Sequence, residues 1–238
     1  MSKVEFRDLT GMVEFRAAEA LQTIVWGDGD TVDPADLMMV IQQEGGLVAG
    51  AFQAGRLLGY VFGFPTVTPG VQHSHRLAVH PDARGKGLGG GLKWYQRDWC
   101  LAHGITHVRW TYDPLLTTNA SLNIARLGGR VRRYLSDYYG AMEGINKGAP
   151  SDRLLVDWQL DAPHVIARVP GSTVSAPTVE AALRIAIPTD FAAMLAENQS
   201  AAVAARLDIG GRLIQAFQDG YAICGYDAVT REYLLSRV

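Results

Sequence analysis

The stretch Arg84-Gly85-Lys86-Gly87-Leu88-Gly89, continued by Gly90 and Gly91, joins an apolar run to a helical pattern and sets two cations among glycines. Glycine weakens a helix start by about 1 kcal/mol per residue relative to alanine. Exposed backbone is the compensating gain. Without Cβ atoms, successive N–H groups at a helix N-terminus can approach an anion such as phosphate, where the helix dipole also favours negative charge. Arg84 and Lys86 add positive charge beside those donors. The alternative is a tight strand-to-helix turn packed on a sheet, with both cations solvated. Gly87 directly after Lys86 breaks a Walker loop, which needs Ser or Thr there. Gly85, Gly87 and Gly90 satisfy the GxGxxG dinucleotide spacing, but residues 80–84 separate them from the strand, and no acidic residue ends a strand at the expected distance. Upstream, strand alternation predicts that His73, His75, Leu77 and Val79 share one face. An imidazole titrates near neutrality and can carry a proton; the alternative is a pair of exposed or hydrogen-bonded histidines. Arg126, Arg130, Arg132 and Arg133 form the densest basic cluster.

These residues need a strand, a turn and a helix to hold them, and the pattern supplies all three. A strand is expected over 73–79 and a helix over 88–103, with Leu88, Leu92, Tyr95 and Trp99 on one face and Gly104 as its stop. Cys100 lies in that helix between Trp99 and Leu101 and reads as packing. Before them come a strand (4–9), an amphipathic helix (12–26) burying Phe15, Ala18, Leu21 and Ile24, and the loop GDGDTVDP. Asp33-Pro34 then starts a second helix through Val40, and a hairpin pairs 47–52 with 57–64. After the glycine turn a strand (105–112) ends at Asp113-Pro114, and a short helix follows Asn119, a natural N-cap. Strands over 131–138 and 153–160 complete a mixed sheet with covering helices, an α/β (α+β) fold. Residues 1–160 are expected as one domain. The remainder, 161–238, reads as a smaller α/β extension: loop, strand (182–187), helices (188–218) and a terminal hairpin. Its strand–helix–helix–hairpin order repeats the opening of the chain, which makes a half-repeat one reading and a common succession of elements the other.

The 238 residues, 48% hydrophobic and 19% charged, describe a globular protein able to bury a full core. A formal net charge of −2 gives no electrostatic reason to expect nucleic acid or an anionic membrane as partner. The charged opening MSKVEFRDLTGMVEFR lacks the apolar core of a signal peptide, and the longest apolar tract alternates like strands around Arg56. Cys100 and Cys224 form no disulfide framework and no metal spacing, so a reducing cytoplasm and no metal are expected.

Arg84-x-x-Gly87-x-Gly89 resembles the R/Q-x-x-G-x-G/A turn of the GNAT superfamily of N-acyltransferases, and "LAVHPDA" looks like the strand leading into it. The similarity in element order covers residues 1–160, with Asn119 near the start of the family's next helix. It implies a mostly antiparallel central sheet and acetyl-CoA or another acyl-CoA as co-substrate. By the same resemblance the amides of Arg84, Gly85, Lys86, Gly87, Leu88 and Gly89 would hold the pyrophosphate. The backbones of Leu77 and Val79 would contact pantetheine and the acyl carbonyl, and Asn119 would join the cofactor-binding residues. Amine acylation needs a base, donors for the oxyanion and an acid for the thiolate. His73 stands where several family members carry glutamate, which makes His73 and His75 the candidate bases. The family's tyrosine acid falls on Asn123 or Ile124 here, a departure that leaves the acid open. Tyr112 and Asp113 are the remaining catalytic candidates, with Tyr134, Tyr138 and Tyr139 nearby in sequence. The arginine cluster would receive a 3′-phosphate, an acidic group of the acceptor, or only solvent.

"WTYDPL", "NASLNIARLGG" and "YYGAMEGINKGAPSDR", with the tail, are similar to a little-characterised bacterial branch of the superfamily. Some of its members are linked with N-acylamino-acid racemases, which implies N-acylation of amino acids, N-succinylation included. The expected protein is a cytoplasmic acyl-CoA-dependent N-acyltransferase acting on a small primary amine, and a homodimer is compatible with it. A non-catalytic acyl-CoA-binding module and a dinucleotide-binding oxidoreductase domain are the competing readings.

Overall fold

A computed structural model of the chain describes residues 3–27, 29, 31–140 and 148–237. Asp28 and Asp30 of the expected GDGDTVDP loop, and residues 141–147 of the YYGAMEGINKGAPSDR stretch, lie outside the described residues. The chain divides into two compact units, Met1–Val108 and Arg109–Val238.

In the first unit, β1 (Glu5–Asp8) leads into α1 (Gly11–Trp26) and α2 (Ala35–Gln43). Phe15, Ala18 and Leu21 of α1 are buried as the period predicts, but Ile24 is 53% exposed. At about 100° per residue, position 24 lies half a turn from Phe15. Gln22 is buried instead, and it clasps the Asp33 backbone by accepting from its N–H at 2.8 Å and donating to its carbonyl at 3.1 Å. β2 (Leu47–Gln53) and β3 (Arg56–Pro65) form the expected hairpin. Ala54 and Gly55 turn it with φ of 50° and 77°, the left-handed pair that suits the twist of paired strands. β4 (Val71–Val79) follows, then a single 3-10 turn (Pro81–Ala83) and α3 (Leu88–Ala102).

The strand order is β1-β2-β3-β4, with every one of these pairs antiparallel. That arrangement excludes the parallel, doubly wound sheet of a dinucleotide-binding domain. Two apolar layers cover the sheet. Tyr60, Phe62 and Ala78 pack with α1 and α2, while Val61, Leu77 and Val79 pack with Leu88 and Leu92 of α3.

β5 (His107–Tyr112) runs into the second unit, where α4 (Thr117–Ala120) passes directly into a wider π-helical turn (Ser121–Arg126). Asn119 therefore lies inside the helix rather than capping it. The helix begins after Leu116, three residues earlier than the side chain of Asn119 suggested. The remaining elements are β6 (Arg130–Leu135), β7 (Arg153–Gln159), α5 (Pro163–Ile166), β8 (Leu183–Ala186), α6 (Phe191–Glu197), α7 (Gln199–Gln218), β9 (Tyr221–Asp227) and β10 (Glu232–Arg237). Asp190 and Asn198 cap α6 and α7 through side-chain oxygens that accept from Ala193 and Ala201 N–H at 3.0 Å.

Strands run in the order β5-β7-β6-β9-β10-β8, so elements from before and after residue 160 share one sheet, joined where Val131 meets Ile223. The succession β8-α6-α7-β9-β10 repeats that of β1-α1-α2-β2-β3, but the pairing differs. β1 lies beside the first arm of its hairpin and β8 beside the second arm. The whole is a mixed α/β fold with a mostly antiparallel sheet and flanking helices.

Candidate functional site

The glycine turn is held from both ends and open between them. His80 N–H donates to Leu58 O at 2.8 Å, and His80 Nδ1 accepts from Asp82 N–H at 3.2 Å, which fixes the exit from β4. Ala83 is buried, and Leu88 and Leu92 anchor the other side. Arg84, Gly85, Lys86 and Gly87 between these anchors are exposed. Gly85 and Gly87 have φ of 78° and 76°, where side chains are strained, and a Cβ on either would meet nothing within 4 Å. Gly87 occupies the N-cap position with no side-chain cap, and the first helical bond runs from Gly91 N–H to Gly87 O at 3.0 Å. Among the described residues, the amides of residues 85–90 donate to nothing. Lys86 Nζ donates to Asp82 O at 3.1 Å, so its charge stays at the turn. Uncapped N–H groups and a helix dipole share one open turn with two exposed cations in its sequence, which is the arrangement an anion needs.

Gly91 does different work. A Cβ there would stand 2.3 Å from the Phe6 ring, so this glycine lets α3 approach β1.

β4 does not present its residues as simple alternation predicts. Its register against β3 shifts between Phe62 and Gly63: Phe62 opposes Arg76, and Gly63 opposes Ser74. His75 is the extra residue of a β-bulge, and a bulge inverts the alternation beyond it. His73 and His75 consequently lie with Phe62 and Phe64, the three ring distances to them being 5.2 to 5.7 Å, on the α1/α2 side. Leu77 and Val79 lie on the α3 side. The expectation of one shared face for these four residues is corrected by that bulge.

His75 has a partner that the sequence did not announce. Its Nε2–H donates to Asp33 Oδ1 at 3.2 Å, and Arg76 Nε donates to Asp33 Oδ2 at 2.8 Å. Burial pushes the Asp33 carboxyl up, but the His75 hydrogen bond and charge, with Arg76, outweigh it and hold the group below its ordinary value. Arg76 also lies over the Trp26 ring, 4.8 Å from its centroid. His75 remains partly open to water, with 35% of its side chain exposed.

Beneath β4, on the α3 side, sits a buried polar cluster. Lys93 Nζ donates to Ser74 Oγ at 3.0 Å and to Gln96 Oε1 at 2.8 Å, and Gln96 Nε2 donates to Gln72 Oε1 at 2.6 Å. Burial pulls Lys93 down to about 7, and burial pushes the neighbouring Cys100 thiol up to about 12. Cys100 is accordingly an inert thiol at neutral pH, as its neighbours suggested.

The second unit holds the other sequence candidates. Tyr112 is buried, its hydroxyl donating to Tyr233 at 3.2 Å, and burial raises its pKa well above the ordinary tyrosine value. Both Asp113 oxygens are engaged: Oδ1 accepts from Leu115 N–H at 2.9 Å and Oδ2 from Arg206 at 2.7 Å. Neither group is set up as a free proton carrier. Asn119 is half-buried in α4. Asn123, where the resemblance would place tyrosine, is buried and accepts from Trp110 Nε1 at 3.2 Å, a packing role. Among the described residues no group of three or more His, Cys, Asp or Glu could hold a metal ion. No helix among them is long and apolar enough to cross a membrane.

Residues 14–128 match the model of the acetyltransferase (GNAT) family. No curated protein matches the chain. Among solved structures, the ribosomal-protein-S18-alanine N-acetyltransferase from Escherichia coli aligns with a TM-score of 0.55 at 16% identity, over 67% of this chain and 96% of that one. An N-acetyltransferase from Staphylococcus aureus Mu50 gives 0.54 at 15%, over 67% and 100%. A GNAT superfamily phosphinothricin acetyltransferase from Sinorhizobium meliloti, solved with AcCoA, gives 0.53 at 17%, over 65% and 86%.

Proposed function

We propose, from the match of residues 14–128 to the GNAT acetyltransferase family, that the chain moves an acetyl or other short acyl group from coenzyme A to a primary amine of a small molecule. Amino acids are the acceptor class that the sequence resemblance favours. The observation that carries the donor side is the open turn, in which the amides of residues 85–90 lack acceptors beside Arg84 and Lys86. Those groups would bind the diphosphate of the donor, and the β4 backbone at Leu77 and Val79 would guide the thioester arm.

In the reaction the amine nitrogen attacks the thioester carbonyl, the C–N bond forms, and the C–S bond breaks to release coenzyme A. An amine is mostly protonated at neutral pH, so it must lose a proton before attack. His75, partly open to water and oriented by Asp33, is the group proposed to take that proton, with His73 beside it, the two ring centroids 6.0 Å apart. The nitrogen sheds a second proton once the C–N bond has formed; of the two protons one passes through His75 to the departing thiolate and the other leaves to solvent. That return route would make a dedicated tyrosine acid unnecessary, in keeping with Asn123 at the family's tyrosine position.

Calorimetric titration with coenzyme A tests the donor side. The wild type should bind coenzyme A and not NAD, and a folded Gly87→Trp variant should lose binding, because its side chain would crowd the open turn. Unchanged affinity in that variant overturns the site. Thiol release from acetyl-CoA and succinyl-CoA with a panel of amines tests the chemistry. Binding without turnover of any amine would favour the non-catalytic module, the reading that Asn123 in place of tyrosine supports.

A further inference from the structure

Arg206, on α7, is 2% exposed, yet only one of its three guanidinium nitrogens has a hydrogen-bond partner. Nη2 donates to Asp113 Oδ2 at 2.7 Å, while Nε and Nη1 meet no acceptor among the described residues. Buried polar groups are nearly always paired, and buried charges more strictly still. Phe191 holds the guanidinium in place, its ring centroid 4.5 Å from Cζ, but supplies no acceptor in the plane of the N–H groups.

A second arginine lies beside it. Arg153, with 11% of its side chain exposed, places Nη1 3.9 Å from the same Asp113 oxygen. Burial lowers its pKa, and the neighbouring Arg206 charge acts in the same direction against Asp113 and Asp152. The nearby carboxylates are already occupied. Asp113 Oδ1 accepts from Leu115 N–H at 2.9 Å, and Asp152 accepts from Tyr134 OH at 2.6 Å and Asp137 N–H at 2.8 Å. Arg153 Nη1 also donates to Asp152 O at 2.8 Å, so the unmet donors are the Nε and Nη1 of Arg206.

Both arginines and Asp113 line a cavity of about 30 Å³ whose apolar wall includes Leu116, Phe191 and Leu195. A water needs on the order of 10–15 Å³ by this measure, so the space suits two oxygens. Two oxygens are what a planar carboxylate brings, and a tetrahedral phosphate brings four. Guanidinium and carboxylate also match in plane and charge.

We propose that the second unit holds a carboxylate-binding site at Arg206, which takes the two-oxygen head of a small organic monocarboxylate into the cavity while its apolar chain leaves past Ala192 at the rim. The site lies wholly within the second unit and does not depend on the acyl-transfer reading.

The test uses the full chain and butyrate as probe, with neutral butyramide as its isostere, followed by calorimetry or ligand-observed NMR. Butyrate should bind at least about tenfold more tightly than butyramide, the scale of a charge-assisted pair. Arg206→Met should abolish that preference. Because Arg206→Met removes the partner of Asp113 and can fail to fold, Ala192→Trp provides the second variant. Ala192 is an exposed residue on the cavity rim, so tryptophan there fills the entrance while the Arg206–Asp113 pair stays intact. Ala192→Trp should weaken butyrate by about tenfold or more. Equal binding of butyrate and butyramide, or unchanged butyrate binding in folded Ala192→Trp, overturns the proposal. Inorganic phosphate displacing butyrate at lower concentration than butyrate itself requires overturns the assignment to carboxylate.

Discussion

Lys93 gives the first unit a pH signature whose size follows from its surroundings. Its ammonium is buried against Ser74, Gln96 and Gln72, neutral groups that accept hydrogen bonds but supply no counter-charge, and burial pulls it from 10.5 to about 7. In the unfolded chain the same lysine keeps its ordinary pKa near 10.4. Between the two values the unfolded chain binds the extra proton, so stability rises with pH at up to about 1.4 kcal/mol per unit. Titration is only half complete at pH 7, which leaves a gain of about 2 kcal/mol between pH 7 and 9. Below pH 7 both states hold the proton and the effect is spent. Above about pH 9 Cys100, pushed up to about 12 by burial, acts in the opposite sense: the unfolded thiol ionises first and stability turns down. Tyr95, also raised to about 12 by burial and its bond to Asp8, adds to that fall above about pH 10.

Urea unfolding followed by tryptophan fluorescence at fixed ionic strength, at several pH values across this window, reads the effect. Lys93→Met should remove the rise. Its stability at neutral pH is a poorer guide, because deleting the ammonium leaves Ser74 Oγ and Gln96 Oε1 only their mutual bond at 3.2 Å and removes two buried hydrogen bonds, at about 1–3 kcal/mol in all. The slope is the clean observable. Equal slopes in wild type and variant would refute the reasoning, for they would mean that Lys93 stays charged when folded.

Three further outcomes follow from the site. Replacing His73 and His75 together by alanine should lower turnover on the order of a hundredfold at neutral pH, with partial recovery where the amine deprotonates itself and little change in coenzyme A affinity; normal turnover from about pH 6 to 9 would remove the histidines from the chemistry. Asp33→Asn should lower turnover and also flatten acid unfolding. Asp33 is held below its ordinary pKa, so its contribution is present above about pH 4 and lost as pH falls through the folded value; an unchanged acid limb counts against the His75–Asp33–Arg76 cluster. Gly91→Ala should cost about 1–3 kcal/mol in thermal unfolding, because its Cβ would stand 2.3 Å from Phe6; an unshifted midpoint would show that the ring yields freely.

What was legible in the sequence was what one segment specifies by itself. The periodicity over 88–103 gave α3 almost to the residue, and the mixture of glycines and cations before it marked the open turn. Alternation alone misplaces the face of β4, because a bulge is a property of two strands. Nothing within residues 73–79 says that Phe62 will oppose Arg76 while Gly63 opposes Ser74. Long-range partners were hidden for the same reason. The sequence marks Asp33 only as a helix starter, and its role beside His75, 42 residues away, depends on Gln22 clasping its backbone. Asp113 looked like a proton carrier until α7 delivered Arg206 to it from 93 residues downstream.

The bulge is also what lets one strand serve two tasks. In a regular strand His73, His75, Leu77 and Val79 would all compete for one surface. With His75 inserted, the histidines join the aromatic layer under α1 and α2, and Leu77 and Val79 join the layer that seats α3. The second layer then fixes the anion turn. Leu88 and Leu92 are buried one helical turn apart, and Lys93 ties α3 to Ser74 on β4 itself. The open amides of residues 85–90 are thus mounted on a helix whose position is set by packing before any ligand arrives. A diphosphate meeting that turn would need little ordering of the backbone, so more of its interaction energy would appear as affinity. The same helix that carries the least helix-favouring residues at its start is, one turn later, seated by buried Leu92 and Lys93. That firm seating is what makes four glycines at its head tolerable.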